Sequence, residues 1–297
     1  MPSLEGLRRK IHAADDLNSI VKTMKSLAMI NIRHYEKAGE SLKDYHHTVE
    51  LGLQVLFKSN PDLLFTEKEQ KNRPKGVVVF GSDQGLCGRF NQSIVEHTLD
   101  LFYKHDPNFD DLWFITIGDR VYQLLREQDV NIQKVYHVPI SLTGSIDLLQ
   151  KVLIDIEDWQ SNRNIEKVFV SFNQPLSAIT HQPQTNQLMP PNLDDFRALA
   201  EKPWPGRGYP IYNLDTGRLY SRLIRQNIFI NLFRAIVGSV TSENASRLTT
   251  LQSAEKNIDE QLEGLNNQYQ RLRQDAITEE LLDIVAGFEV LTAKPRS

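Results

Sequence analysis

The amino-acid sequence predicts an α/β protein in which a long antiparallel coiled coil of the N- and C-terminal helices accompanies a central α/β domain. Residues 3–60 and 211–294 contain no proline, and their apolar residues recur every three or four positions. Ten of the thirteen prolines lie between residues 62 and 210, where short β-rich runs alternate with helix-like segments. We therefore assign residues 1–60 and 211–297 to a coiled-coil shaft and residues 61–210 to the central domain.

The C-terminal segment has the pattern of a coiled-coil helix, because apolar spacings of three and four form one seam along a helix. A helix over about residues 219–291 would be roughly 105 Å long at 1.5 Å per residue, so it needs an equally long partner. The apolar positions of this seam are Leu251, Ala254, Ile258, Leu262, Leu265, Tyr269, Leu272 and Ala276.

The N-terminal segment is the candidate partner. Ser3 can cap the first helical turn, Glu5 lies near the positive end of the helix dipole, and Pro61 ends the pattern. The two segments share the same spacing and are therefore expected to pair. The apolar positions of the N-terminal seam are Leu4, Leu7, Ile11, Ala14, Leu17, Val21, Met24 and Ala28.

The central region alternates between predicted strands and predicted helices. The strands are predicted at residues 76–80, 112–117, 132–138 and 167–172, and the helices near residues 91–103, 119–128 and 145–159. This alternation predicts a mostly parallel, Rossmann-like sheet. Residues 174–210 contain seven prolines, so we expect a loop or hairpin that leads back to the long helix.

Composition narrows the classes of function. A formal net charge of −4 over 297 residues favours neither nucleic acid nor anionic lipid as a partner. The single cysteine, Cys87, cannot form an intramolecular disulfide. No apolar run reaches the roughly 20 residues of a membrane span, and the N-terminus lacks a hydrophobic signal core. Membrane association is therefore expected only through partners.

A glycine-rich segment at residues 81–91 occupies the position between strand and helix where nucleotide-binding loops often lie. It lacks the Gly-Lys-Ser/Thr ending of a Walker loop and the three-glycine spacing of a dinucleotide fingerprint. We therefore interpret Gly85 and Gly88 as structural turn residues and predict no cofactor. The eight histidines are scattered and Cys87 has no assignable base, so we predict neither a metal site nor a catalytic residue.

Three blocks of sequence resemble the gamma subunits of F-type ATP synthases, and the resemblance extends along nearly the whole chain. Residues 20–25, Ile-Val-Lys-Thr-Met-Lys, are similar to the family's Ile-Thr-Lys-Ala-Met-Lys/Glu core. Residues 82–91, Ser-Asp-Gln-Gly-Leu-Cys-Gly-Arg-Phe-Asn, are close to its Ser-Asp-Arg-Gly-Leu-Cys-Gly-Gly-Phe-Asn element. The most specific block combines residues 242–247, Ser-Glu-Asn-Ala-Ser-Arg, with residues 254–257, 273–281 and 284–287.

The resemblance implies a rotary shaft that turns inside a hexamer of alternating catalytic and non-catalytic subunits. The implied partners are the alpha and beta subunits of the catalytic head, an epsilon-type subunit and the ring of c subunits. The shaft would couple transmembrane ion flow to ATP synthesis or hydrolysis, with the proton as the expected ion and sodium as the alternative. It would perform no bond chemistry itself, and it would lie peripherally at the cytoplasmic face of a bacterial plasma membrane.

The resemblance also implies five contact residues. Lys22 and Met24 match family positions near the mobile catch segment of a catalytic subunit, and Arg273, Gln274 and Thr278 match positions on the C-terminal helix that face the same region. An arginine can offer a bidentate fork to an acidic loop.

The sequence departs from the family pattern in two places, of which the second bears on the contacts of the shaft tip. Residues 31–33, Asn-Ile-Arg, replace the small, basic run that is usual after the methionine. Phe288 is larger than the usual family residue.

Two other classes of function are compatible with parts of the pattern. A non-rotary coiled-coil scaffold or adaptor, with an α/β domain that binds a peptide or small ligand, explains the helices but not the three blocks. A freestanding α/β enzyme would need a ligand pocket near residues 81–91.

Overall fold

The computed structural model describes residues 3–64, 74–103, 112–177, 180–208 and 210–292. Contacts divide the chain into two compact units. Residues 1–27 and 250–297 form one, the helix-pair unit, and residues 28–249 form the other, the α/β unit. Two long helices, α1 (Leu4–Ser59) and α6 (Thr216–Thr292), each contribute residues to both units.

In the helix-pair unit, the N-terminal part of α1 packs against the C-terminal part of α6. Val21, Leu251 and Ile258 are buried at the centre of the contact. Asn18 contacts Asp259, and Lys25 further along α1 contacts Glu255 earlier in α6. The two helices therefore run antiparallel, as the sequence predicts. Ala14, Met24 and Leu262 pack against the same cluster and are partly buried.

Both long helices begin at a side-chain cap. The hydroxyl of Ser3 accepts a hydrogen bond from the backbone nitrogen of Gly6 at 3.1 Å. At the start of α6, a carboxylate oxygen of Asp215 accepts from the backbone nitrogen of Arg218 at 3.0 Å. These bonds satisfy backbone donors that lack a partner in the first helical turn.

The α/β unit contains a five-stranded sheet in the order β3-β2-β1-β4-β5. The strands are β1 (Lys75–Phe80), β2 (Leu112–Ile117), β3 (Asn131–Tyr136), β4 (Lys167–Pro175) and β5 (His181–Met189). The first four are parallel, and β5 pairs antiparallel with β4. The order β3-β2-β1-β4 is that of a doubly wound fold, in which the connections change direction between β1 and β4. The predicted fold class is confirmed.

Helices cover both faces of this sheet, so its central strands are buried on both sides. On one face, residues of α1, α4 (Leu142–Asn162) and α6 surround Val78, Phe80 and Val170. On the other face, α2 (Phe90–Tyr103) and α3 (Asp119–Arg126) cover Val77 and Val79. This explains why the sequence of β1 is a continuous apolar run and not an alternating one.

The segment predicted as a loop or hairpin over residues 174–210 is more ordered than a loop. It contributes the end of β4, the strand β5 and the helix α5 (Leu193–Glu201). Large parts of both long helices also belong to the α/β unit: residues 28–59 of α1 and residues 216–249 of α6. The bounds of the compact units therefore differ from those of the predicted division, in which residues 1–60 and 211–297 form a shaft and residues 61–210 form a domain. The predicted division stays a prediction.

Candidate partner-binding surfaces and the loop after β1

Lys22 and Met24, the predicted contact residues of α1, differ in exposure. Lys22 is exposed, whereas Met24 is partly buried and packs against the cluster of Val21, Leu251 and Ile258. Met24 therefore contributes to the packing between the helices and offers only part of its side chain to another protein. The role of both residues in partner binding stays a prediction.

Arg273, Gln274 and Thr278, the predicted contact residues of α6, are all exposed. The hydroxyl of Thr278 donates a hydrogen bond to the backbone oxygen of Gln274 at 2.9 Å. Residues four apart lie on the same helical face, so these two side chains can meet one partner surface together. The guanidinium of Arg273 can donate two parallel hydrogen bonds to a carboxylate.

The C-terminal tip of α6 carries an exposed apolar surface that the sequence reasoning missed, apart from Phe288. Helix α1 begins 14 residues before Asn18, whereas α6 continues for 33 residues beyond Asp259, its contact across the pair. The final turns of α6 therefore extend past the start of α1. The sequence does contain a signal for this surface, because its apolar spacing of three and four residues continues beyond Ala276. The exposed residues of this tip are Ile277, Leu281, Leu282, Ile284, Val285 and Phe288.

In the α/β unit, the loop between β1 and α2 is held by its own side chains. The backbone nitrogen of Ser82 donates to the side-chain oxygen of Asn91 at 3.0 Å, and the Asn91 nitrogen donates to the Ser82 hydroxyl at 2.8 Å. Gly88 adopts a φ of +58°, a left-handed conformation that glycine accepts without strain. Leu86 has a φ of +60°, while Gly85 is not among the described glycines with positive φ.

A buried ion pair on α6 reaches the same loop. Arg247 donates to a carboxylate oxygen of Glu243 at 2.6 Å, and both side chains are more than nine-tenths buried. The same guanidinium lies 3.3 Å from the backbone oxygen of Gln84 and 3.4 Å from that of Gly85. Burial raises the pKa of Glu243, and the positive charge of Arg247 opposes that rise. The pair therefore fixes the loop against α6.

Side chains of the protein engage backbone donors at the edge of the sheet where such folds bind nucleotides. Ligands of doubly wound sheets bind outside the carboxyl ends of the strands, close to the change of direction beside β1. There, Asp83 accepts hydrogen bonds from the backbone nitrogens of Asp119 and Val138, each at 2.9 Å. Together with the Ser82 nitrogen, which Asn91 engages, three backbone donors at this edge of the sheet have side-chain partners within the protein.

Cys87 is a buried free thiol. Burial raises the pKa of the Cys87 thiol, which favours the protonated and unreactive form. Within the described ranges, no group of three or more His, Cys, Asp or Glu side chains could hold a metal ion. In the same ranges, no helix is both long and apolar enough to cross a membrane.

Comparison with known proteins gives the class of this protein. A family model described as ATP synthase matches residues 3–291. Among the curated relatives, the ATP synthase gamma chain of Geotalea uraniireducens (strain Rf4) is 28% identical over 293 residues, which is 97% of this chain and 99% of the relative. The ATP synthase gamma chain of Pelagibacter ubique (strain HTCC1062) is 27% identical over 299 residues, 98% of this chain and 100% of the relative.

Solved structures show the same fold at lower identity. A chain of the Euglena gracilis mitochondrial ATP synthase, OSCP/F1/c-ring, in rotational state 3 has a TM-score of 0.66 at 15% identity, covering 98% of this chain and 95% of that chain. A chain of the Tetrahymena thermophila mitochondrial ATP synthase central stalk and c-ring has a TM-score of 0.57 at 18% identity, covering 79% of this chain and 99% of that chain. The chain belongs to the ATP synthase family, and its relatives within that family are gamma chains.

Proposed function

We propose that this chain is the central rotor shaft of an F-type ATP synthase and couples transmembrane ion flow to ATP synthesis or hydrolysis by rotation. The observation that carries the proposal is the antiparallel pairing of the chain's two terminal helices around Val21, Leu251 and Ile258. A torque-transmitting part needs a stiff element with different side chains on different sides. The alignment with gamma chains over 97% of this chain supports the same role.

The shaft contributes no catalytic residue in this proposal. The loop after β1 is the position at which the fold could bind a nucleotide. Its Ser82 nitrogen donates to Asn91, and its Asp83 carboxylate accepts from the backbone nitrogens of Asp119 and Val138. The bond chemistry is therefore assigned to the alpha and beta subunits of the head. The chain would be a non-catalytic subunit of a rotary, proton-transporting ATP synthase, with sodium as the alternative ion.

The proposed partners are the alpha and beta subunits around the helix pair, an epsilon-type subunit, and the ring of c subunits. In a bacterial cell this places the chain peripherally at the cytoplasmic face of the plasma membrane. Lys22, Met24, Arg273, Gln274 and Thr278 are proposed to contact the catch segment of a catalytic subunit. Exposed ion pairs contribute only about 0–1 kcal/mol each, so such contacts can exchange between rotary positions without trapping one.

The test is rotation of the assembled complex. The chain is co-expressed with the other subunits of its operon, the complex is purified, and a bead is attached through a cysteine introduced in the α/β unit. Stepwise turning of the bead during ATP hydrolysis supports the shaft. Cross-linking the chain to a head subunit is the control, because it must stop a true rotor. ATP hydrolysis with a firmly attached but stationary bead would favour the non-rotary scaffold instead.

A further inference from the structure

His46 on α1 lies between two side chains of opposite charge. Its Nδ1 atom is 3.0 Å from a guanidinium nitrogen of Arg234 on α6. The same atom is 3.8 Å from a carboxylate oxygen of Glu50, one turn further along α1. All three residues belong to the α/β unit. The contact with Arg234 therefore joins two helices, whereas the contact with Glu50 stays within one.

The contact with Arg234 determines the form of the imidazole. An arginine side chain carries donors and no acceptor, so a hydrogen bond from Arg234 requires a lone pair on the Nδ1 atom of His46. The imidazole in this structure is therefore neutral and carries its proton on Nε2. An ionised carboxylate only accepts, so Glu50 forms no hydrogen bond with that lone pair.

Protonation of Nδ1 reverses the choice of partner. The nitrogen then donates to an acceptor and no longer accepts from Arg234, and the imidazolium and guanidinium charges repel each other. The carboxylate of Glu50 attracts the same imidazolium. Hydrogen bonds of this kind span about 2.7–3.2 Å, so a small side-chain movement from 3.8 Å brings the carboxylate into range.

Other charged groups surround the imidazole. On α1, His47 lies 3.9 Å from the same carboxylate oxygen of Glu50 and is exposed. Helix α5 contributes Asp195 to the cleft beside the imidazole, and Lys202 follows that helix. Residues 185–188 of β5, which line the same cleft, carry no charged side chain. The two charges from the α5 region are opposite in sign, so Arg234 and Glu50 provide the closest charges.

Burial and the charge of Arg234 lower the pKa of His46, while Glu50 opposes this effect and His47 adds to it. The His46 side chain is 17% exposed, which agrees with this direction. A lowered pKa favours the neutral form, the one that accepts from Arg234, until the solution becomes acidic.

We propose that His46 is a proton-dependent switch that exchanges Arg234 for Glu50 as its partner. Neutral His46 connects α1 to α6, and protonated His46 releases Arg234 and donates to Glu50 on its own helix. The apolar core that the two helices share keeps them packed in both forms, so the exchange changes side chains and surface charge and not the fold. This inference concerns the α/β unit and is independent of the rotary role.

The first test determines the protonation of His46 in the full-length chain. Nuclear magnetic resonance of the chain labelled with 15N-histidine reports the tautomer and the pKa of each ring, and the His46 signals are those lost in His46→Leu. At pH 8 we expect the proton on Nε2, and a pKa lower than that of the exposed His34. Arg234→Met should raise the pKa of His46 by removing a cation, and Glu50→Met should lower it by removing an anion.

The second test measures the exchange of partners. Double-mutant cycles combine His46→Leu with Arg234→Met or with Glu50→Met, and urea denaturation follows each cycle above and below the measured pKa of His46. The coupling to Arg234 should be favourable above this pKa and unfavourable below it. The coupling to Glu50 should become favourable only below it. The cycle of His34→Leu with Arg234→Met is the control, and it should show no coupling at either pH.

Two results would overturn the proposal. One is a proton on Nδ1 of His46 at pH 8, because Arg234 then has no lone pair to bind. The other is a coupling to Arg234 that stays favourable below the pKa of His46. If a double variant does not fold, the single variants decide, and an unchanged pKa of His46 in Arg234→Met would also overturn it.

Discussion

At the scale of the single residue, Arg247 shows how one long-range contact stabilises a loop. Its guanidinium satisfies the buried carboxylate of Glu243 and also lies against the backbone oxygens of Gln84 and Gly85. Replacing it with a short apolar side chain leaves a carboxylate buried without its counter-charge. The loop carbonyls lose a donor at the same time.

We therefore expect Arg247→Ala to lower the free energy of unfolding by about 3–5 kcal/mol, the usual cost of breaking a buried ion pair. Urea denaturation followed by circular dichroism measures this change. The exposed arginine Arg222, also on α6, is the matched control, and Arg222→Ala should stay within about 0.5 kcal/mol of the parent chain. Equal effects of the two substitutions would show that the buried ion pair adds no more to the free energy of unfolding than an exposed arginine does.

His97 on α2 predicts a pH dependence of stability. Burial lowers the pKa of His97, partly offset by Asp100, and its Nε2 atom is buried without a hydrogen-bond partner in the described residues. In the unfolded chain a histidine titrates at about pH 6.5. The unfolded state therefore takes up the proton first as the pH falls. Neutral His97 contributes to the free energy of unfolding above about pH 6.5, and this contribution is lost as the pH falls through the pKa of His97 in the folded state.

Replacing His97 with leucine should remove this acid sensitivity. We expect the stability of H97L relative to the parent chain to increase from pH 7.5 to pH 5, measured by urea denaturation at each pH. The exposed histidine His12 provides the control substitution His12→Leu. A stability difference between H97L and the parent that does not change with pH would contradict the argument.

At the scale of the element, the C-terminal half of α6 contains a glycine that its environment does not require. Gly264 lies inside the helix, and a Cβ atom at this position would meet nothing within 4 Å in the described structure. Glycine in a helix interior costs roughly 0.5–1 kcal/mol relative to alanine, because it loses more backbone freedom on folding.

Gly264→Ala should therefore raise the stability of the helix-pair unit by about that amount, measured as a higher midpoint of thermal unfolding. Gly76 in β1 provides the opposite case, since a Cβ there would lie 2.4 Å from the ring of Trp159. Gly76→Ala should destabilise the chain. A stabilising Gly76→Ala or a destabilising Gly264→Ala would show that the local packing differs from this structure.

At the scale of the whole molecule, the proposed rotor would use weak surface contacts on α6. Arg273→Ala should reduce ATP-driven ion pumping by the assembled complex roughly 2- to 10-fold, as expected for losing one exposed charge-assisted hydrogen bond. Assembly should be unchanged, because Arg273 is exposed and outside the buried cluster of the helix pair.

Arg271 is also exposed and close in sequence, so Arg271→Ala is the matched control. It should change pumping less than Arg273→Ala does. Fluorescence quenching in vesicles that carry the purified complex provides the measurement. Equal losses from both substitutions would indicate a general effect of charge and remove the specific role proposed for Arg273.

Local periodicity is sufficient to predict the helix pair and most of the sheet. Val21, Leu251 and Ile258 are identified by spacing alone, because one helical face must be apolar wherever two helices pack. The parallel strands β1, β2 and β4 are likewise recognisable as short apolar runs, since strands covered on both faces need apolar residues on both sides. The edge strand β3 is mostly polar and has no buried residue. The absence of a phosphate-binding motif in residues 81–91 also follows from spacing.

Other features depend on contacts between residues that are distant in the chain. Strand β5 is largely polar, so its existence depends on pairing with β4 and not on its own composition. The positive φ of Leu86 and the contact from Arg247 to Gly85 have no local sequence signature. The register of the helix pair belongs to this second group, because a repeating apolar pattern fits several alignments. Only the folded chain shows which residues face each other, such as Asn18 with Asp259 and Lys25 with Glu255.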